Sequence, residues 1–391
     1  MTEKLFWVDP YQTEFDAAVT KQFPVTDGHA VVLDRTCFYA TSGGQPNDLG
    51  HLNSIPVQDV RPEGDSLVHV LPSPLERSSV HGVIDWNRRF DHMQQHSGQH
   101  ILSAAFFQLF GAQTSSFHLG EDYCSIELDK PNLQDTQLQE AEDLANKVIL
   151  ASTPVSAFFA DPQEAKTFPL RKQSDLAESL RIIRIGDFDL SPCSGTHVKN
   201  AGEIGSIFIA GVERLPKVTK VIFLCGNRVR SSYHHDLGIL KVLSKNLTTS
   251  FDLLSESVQK LQNQLKDQRK QIKDLNEERL KVEASELAEH AVEWNGGHFI
   301  LQVWNRPYEE VRYIGQRLTE FPGLLGALAS TQENRIVFFK HRDLHLDLRP
   351  LFQEFLATTG SKGGGPPHFM EAGGFQNAQL ESILKELFAP A

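Results

Sequence analysis

A chain of 391 residues, 40% hydrophobic and 23% charged, is too long for one ordinary core and too apolar to be disordered, so two to four folded domains are expected. Its formal charge of -12 disfavours non-specific attraction to nucleic acid without excluding a local basic surface. No apolar run approaches the roughly 20 residues that span a bilayer, and the start "MTEKLFWVDPYQTEFD" has no targeting signature, so a cytoplasmic protein without a membrane segment is expected.

Residues 1–88 alternate short β-rich runs ("HAVVLDRTCFYA", "SLVHVL", "SSVHGVIDW") with Gly and Pro punctuation such as "TSGGQPNDLG", which predicts a small β-barrel. From "RRFDHMQQHSGQHILSAAFFQLFG" the period turns helical: Met93, His96, His100, Ala104 and Phe107 share a stripe, and Gly111 ends it. A second helix over "DTQLQEAEDLANKVILAS" and strands at "PVSAFFA", "LRIIRIG", "EIGSIFIAGVERL" and "KVTKVIFLCG" make residues 89–235 an α+β unit. Residues 236–290 read as one long heptad helix, with Leu240, Leu247, Leu254, Leu261, Leu275 and Val282 at d and Phe251, Val258, Leu265 and Ile272 at a. Gln268 and Arg279 interrupt the seam, which either packs within the chain as a spacer or pairs two chains into a homodimer. Residues 291–391 predict a small α/β domain with helices at "YEEVRYIGQRLTEF" and "NAQLESILKELF", and the glycine-dense "GSKGGGPPHFMEAGGF" reads as a loop. The fold class is α+β throughout.

His96 and His100, four apart on a helix, aim at one point. Cys193 and His197 in "SPCSGTHV" are again four apart, flanked by Pro192 and Gly195 in a turn. Together they offer the soft and borderline donors of a tetrahedral zinc shell. Four scattered cysteines, Cys37, Cys124, Cys193 and Cys225, argue against a disulfide framework and leave Cys193 free to be a ligand. Other readings stand beside this one: an ordinary core pair of histidines, a closed structural zinc shell, or Cys193 as a nucleophile with His197 or His96 as base.

In "SGGQPND", Gly43 and Gly44 either permit close backbone approach, with amides suited to an oxyanion, or make a plain tight turn. Asp91 and His92 either orient a ligand imidazole or cap the helix, and capping is the preferred reading for Asp91. Arg88 and Arg89 beside the site, and Lys217, Lys220, Arg228 and Arg230 flanking a strand, either neutralise phosphates or form a solvated face.

"FYATSGGQPNDLG", "HSGQH" and "CSGTHVKNAGEIGSI", in that order, resemble the three motifs of the alanyl-tRNA synthetase editing domain and of its free-standing relatives, the AlaX proteins. The resemblance covers residues 1 to 230 or so. Beyond them, the heptad helix and the glycine run resemble the synthetase's C-terminal region, a DHHA1-type domain, as in the long AlaX class. The resemblance implies a barrel at 1–88, a zinc-containing editing domain at 89–235, a coiled coil at 236–290 and a DHHA1-like tRNA-binding domain at 291–391. It also implies a deacylase of tRNA(Ala) mischarged with serine, and in some members glycine, with Zn2+ on His96, His100, Cys193 and His197 and with Lys362 meeting the tRNA backbone. With no class II synthetase core in the chain, such a hydrolase would act in trans.

Selecting serine over alanine demands hydrogen bonds to the hydroxyl, since alanine leaves a polar site unpaired. Gln99, Ser97, Thr41 and Gln45 are the polar candidates, with Gly43 and Gly44 as oxyanion donors. Many synthetase members carry threonine where Gln99 stands, so that threonine's role in serine recognition does not carry over. The rival readings are a non-catalytic tRNA-binding protein with a structural zinc, and a zinc hydrolase of a small ester or amide.

Overall fold

In the computed structural model, which describes residues 2–171, 180–294, 297–376 and 380–388, the N-terminal β pattern forms one seven-stranded sheet. Its strands are β1 (Glu14–Val25), β2 (Gly28–Leu33), β3 (Gly50–Leu52), β4 (Ile55–Val57), β5 (Asp59–Glu63), β6 (Ser66–Leu71) and β7 (Ser79–Ile84), in the order β4-β3-β7-β1-β2-β6-β5. The edge strands β4 and β5 are separated only by Gln58, so the sheet must curl until its edges meet, giving a nearly closed barrel. Long β1 serves both halves, pairing β7 through Glu14–Ala18 and β2 through Val19–Val25. Leu33, Phe38, Leu52, Val60 and Leu71 fill the interior. His69 is buried with them, its Nδ1 bonded to the Val31 carbonyl (3.2 Å) and its Nε2 to Thr36 Oγ1 (2.9 Å).

Next comes α1 (Trp86–Phe110), started by Asp85, whose carboxylate accepts from the Arg88 amide, and ended by Gly111 in a left-handed conformation (φ 67°). The expected cap, Asp91, instead lies inside the helix, where its carboxylate pairs with Arg228 at 2.6 Å. The apolar stripe predicted for α1 understates its burial, for polar residues on its other faces are buried too. Most of their polar atoms are bonded, which makes the burial tolerable; among the described residues His92 Nδ1 and Gln94 Oε1 are the exceptions on this helix. Gln95 exchanges two bonds with the Cys225 backbone (3.0 and 2.9 Å), and Gln94 donates to the Glu203 carbonyl.

Two sheets and a helix complete this part: β8 (Thr114–Leu119), β9 (Cys124–Leu128), α2 (Asp135–Leu150), β10 (Val155–Ala160), β11 (Leu180–Ile185), β12 (Asp189–Pro192), β13 (Ile207–Arg214) and β14 (Thr219–Cys225). The orders are β8-β9-β14-β13 and β10-β11-β12. Ala141, Ala145 and Ile149 of α2 join Ile101, Ala105 and Phe106 of α1 in one core.

The predicted continuous heptad helix is two helices, α3 (Asn227–Leu247) and α4 (Leu254–Glu289). Thr248 takes a left-handed backbone (φ 48°) that no helix continues through. Phe251, assigned to position a, lies in a 3-10 turn spanning Phe251–Leu253. The chain divides into two compact units nearby, 1–243 and 244–391.

In the second unit, Leu280 and Ala284 of α4 pack with Val311 and Ile314 of α5 (Tyr308–Leu318). Leu261, Leu265, Ile272, Leu275 and Val282 of α4 remain exposed. A six-stranded sheet contains β15 (Val292–Trp294), β16 (Gly297–Trp304), β17 (Leu324–Ser330), β18 (Arg335–Lys340), β19 (Lys362–Gly364) and β20 (Phe369–Gly373), in the order β15-β16-β17-β18-β20-β19. Parallel β16 and β17 are joined through α5, as a parallel pair requires. Two further helices are α6 (Arg349–Thr359) and α7 (Leu380–Leu387). The start of the helix predicted at "NAQLESILKELF", residues 377–379, lies outside the described residues.

The glycine run, read as a loop, is a hairpin of β19 and β20 with Lys362 opposite Gly373. Residues without side chains show no alternation, so only the backbone pairing reveals these strands. Among the described residues, no helix is long and apolar enough to cross a membrane.

Candidate metal centre

His96 and His100 project from one face of α1, while Cys193 and His197 come from the loop after β12. One ligand atom from each of the four lies within 4.8 Å of the others. Cys193 Sγ is 3.3 Å from His96 Nε2 and 3.3 Å from His197 Nε2. Donors of a tetrahedral zinc shell are roughly 3.4 to 3.6 Å apart at ordinary Zn–N and Zn–S bond lengths, so donor set and spacing both fit that ion. Burial alone raises the Cys193 thiol, but His96, His197 and His100 hold it well below its ordinary value, favouring the thiolate that a metal takes. Gly195 makes the convergence possible: a Cβ there would lie 2.2 Å from His96 Cε1.

Each imidazole is held from behind through Nδ1, which leaves Nε2 for the centre. Gln45 Oε1 accepts from His96 (2.8 Å), Ser97 Oγ bonds His197 (3.1 Å), and Asp189 Oδ2 bonds His100 (3.2 Å). Burial opposes ionisation of Asp189, yet His100 and Arg171 hold its carboxyl down at about 2. Burial likewise opposes protonation of His100, but Asp189 and Cys193 carry it up to about 9. Neither Asp189 nor Arg171 stands out in the sequence; the only signal is faint, an aspartate four residues before Cys193 in "DLSPC".

A cavity of 360 Å³ opens on the centre, with Gly43, Gln99, Thr114 and Phe117 in its wall. Gln99 Nε2 donates to Ser103 Oγ (2.8 Å), which also accepts from Thr114 (2.7 Å). Gly43 and Gly44 turn at φ 56° and 86°, and a Cβ on Gly44 would meet the Phe117 carbonyl at 2.7 Å.

Other candidates lie elsewhere. Gln45 and Ser97 are buried behind the imidazoles, and Thr41 bonds Asn47 outside this cavity. The expectation that Arg89 meets phosphate is corrected: it is fully buried, paired with Asp48 and donating to the Pro10 carbonyl. Arg88 donates to the Asn47 carbonyl, Arg228 is tied to Asp91, and Lys220 pairs with Glu213. Lys217, Arg230 and Lys362 are exposed. His92 Nδ1 has no partner among the described residues, so that nitrogen orients no ligand.

Residues 180–221 match the family described as the threonyl and alanyl tRNA synthetase second additional domain. Over 98% of its length the chain is 29% identical to the alanyl-tRNA editing protein AlaX-L of Pyrococcus horikoshii, covering 97% of that protein. Over 66% of its length it is 37% identical to the alanyl-tRNA editing protein Aarsd1 of Rattus norvegicus, covering 67% of it. It is 28% identical over 93% of its length to the alanine–tRNA ligase of Pyrococcus abyssi, of which it spans 41%.

Proposed function

The chain belongs to the alanyl-tRNA editing proteins, and from that premise we propose that it removes serine from mischarged tRNA(Ala) beside a zinc ion on His96, His100, Cys193 and His197. It is an aminoacyl-tRNA deacylase that edits in trans. The observation that carries the finer reading is the convergence of one thiolate and three oriented imidazoles on a small polar cavity. A zinc ion held by these four donors would place positive charge beside the ester, and would have to expand beyond the tetrahedral shell to polarise an oxygen.

The remaining work falls to the chain. Gln99 commits its Nε2 to Ser103, which leaves its carbonyl oxygen to accept the serine hydroxyl. Alanine offers no such donor and leaves that acceptor dry, the physical basis of discrimination. The Gly43 and Gly44 amides, which donate to no acceptor among the described residues, sit where a turn can present two N–H groups to the tetrahedral oxyanion. Gln45, Ser97 and Asp189 keep the imidazoles from rotating. Lys362, on an exposed edge strand of the second unit, is assigned to the tRNA backbone.

The test is to incubate zinc-loaded protein with Ser-tRNA(Ala), Gly-tRNA(Ala) and Ala-tRNA(Ala). Loss of the seryl ester with the alanyl ester spared is the expected result, and Cys193→Ala should lose both zinc and turnover. Gln99→Ala, with zinc retained, should lower kcat/KM on the seryl substrate about 10- to 100-fold, the worth of one buried hydrogen bond. Zinc-loaded protein that leaves the seryl ester intact would refute the reading.

A further inference from the structure

The cavity on the metal centre accounts for an aminoacyl group, but the substrate of the proposed function continues from the ester into a ribose and a base. A second, larger cavity of 840 Å³ shares Pro192, Cys193 and Ser194 with the first, so the cysteine loop forms a sill between them. The wall of the larger cavity is aromatic in a way the rest of unit 1 leaves unexplained. Trp7 and Phe159 meet edge to face there, with ring centroids 5.7 Å apart, and Phe159 is 54% exposed on its edge strand β10.

This wall is fastened to the loop that supplies Cys193. Trp7 Nε1 donates to the Ser194 carbonyl at 2.9 Å. Arg181, cross-strand from Phe159, donates from Nη1 to the carbonyls of Cys193 (2.9 Å) and Gly195 (2.8 Å). Any flat group lying on Phe159 is thereby held in register with the ligand set. Glu3 and Asp65 line the cavity together with Lys4 and Arg181. Lys4 Nζ lies 4.1 Å from the Trp7 ring centroid, so Phe159 is the ring left for a flat group to stack on, and the carboxylates can accept hydrogen bonds from the exocyclic amine of a base.

Resting on the deacylase reading above, we infer that this cavity receives the terminal nucleoside of the acylated tRNA, with the adenine stacked on Phe159 beside Trp7 while the ribose ester crosses the Cys193 sill. Stacking a base on an aromatic ring is worth roughly 1–3 kcal/mol, so removing the ring should weaken binding about 5- to 150-fold by the same figures.

The probe is an acceptor-stem RNA ending in an 8-azidoadenosine, cross-linked to the full-length zinc-loaded protein and mapped by peptide mass. Cross-links to the peptides that carry Trp7 or Phe159 are expected. In parallel, Phe159→Ala should raise KM for Ser-tRNA(Ala) about tenfold with kcat and zinc content held, and Phe159→Tyr should restore it. A wild-type substrate lacking its terminal base should fall to the level of Phe159→Ala. Cross-links confined to other peptides, or an unchanged KM in Phe159→Ala, would overturn the inference and leave the aromatic wall as a site for another protein. Correct cross-links from a protein that hydrolyses no ester would sustain the nucleoside site while refuting the deacylase reading.

Discussion

Asp189 bridges His100 and Arg171 and accepts from Ser191 Oγ, so one carboxylate fixes a ligand ring from a fully bonded position. Removing its charge without its shape, as in Asp189→Asn, should weaken zinc about 10- to 100-fold, read by chelator competition rather than by turnover. An unchanged affinity would make Asp189 a packing residue. The Arg89–Asp48 pair, dry on both sides, supports a second expectation: Asp48→Ala strands a buried cation and should cost about 3–5 kcal/mol in denaturant unfolding. The four donors were legible because each pair is written locally, at spacing four. Their orienting partners were not, since the contacts from Gln45, Asp189 and Ser97 span 51, 89 and 100 positions, and no local pattern records a contact made by the fold.

At the scale of elements, the barrel, α1, α2, β10, β11, β13 and β14 follow from alternation, helical period and glycine stops, whereas β8, β9 and β12 have no counterpart among the predicted strands. The two misread elements share a cause. The heptads around Leu247 and Leu254 keep their phase across a break set by the backbone of a single threonine, and the glycine hairpin pairs through atoms that carry no sequence identity. The barrel offers a pH test through His69, whose burial lowers its pKa from 6.5 to about 4. The unfolded chain binds the proton first, so the folded barrel keeps its full advantage above pH 6.5 and loses it as pH falls from 6.5 towards 4. The loss attributable to this residue is on the order of 3 kcal/mol. A His69→Gln protein should show a flatter decline in its urea midpoint between pH 7 and 4.5; parallel declines would exclude His69 as the cause.

For the whole molecule, Leu261, Leu265 and Ile272 leave an apolar face of α4 exposed, and we propose that it pairs two chains. Sedimentation should give a dimer that the double substitution Leu261→Glu and Leu265→Glu converts to monomer, with zinc content unchanged. A monomeric wild type at micromolar concentration would remove this assignment. The ligand set also carries a consequence for how the protein is made. His96 and Cys193 are 97 positions apart, so at about 5–20 residues per second a ribosome delivers the histidine pair roughly 5 to 20 seconds before the cysteine. Until then the nascent chain exposes half a chelator. Capture of an ion by all four donors would therefore wait on translation past His197, about the midpoint of the 391 residues, and a chain stalled short of that point would hold only a weak, open pair.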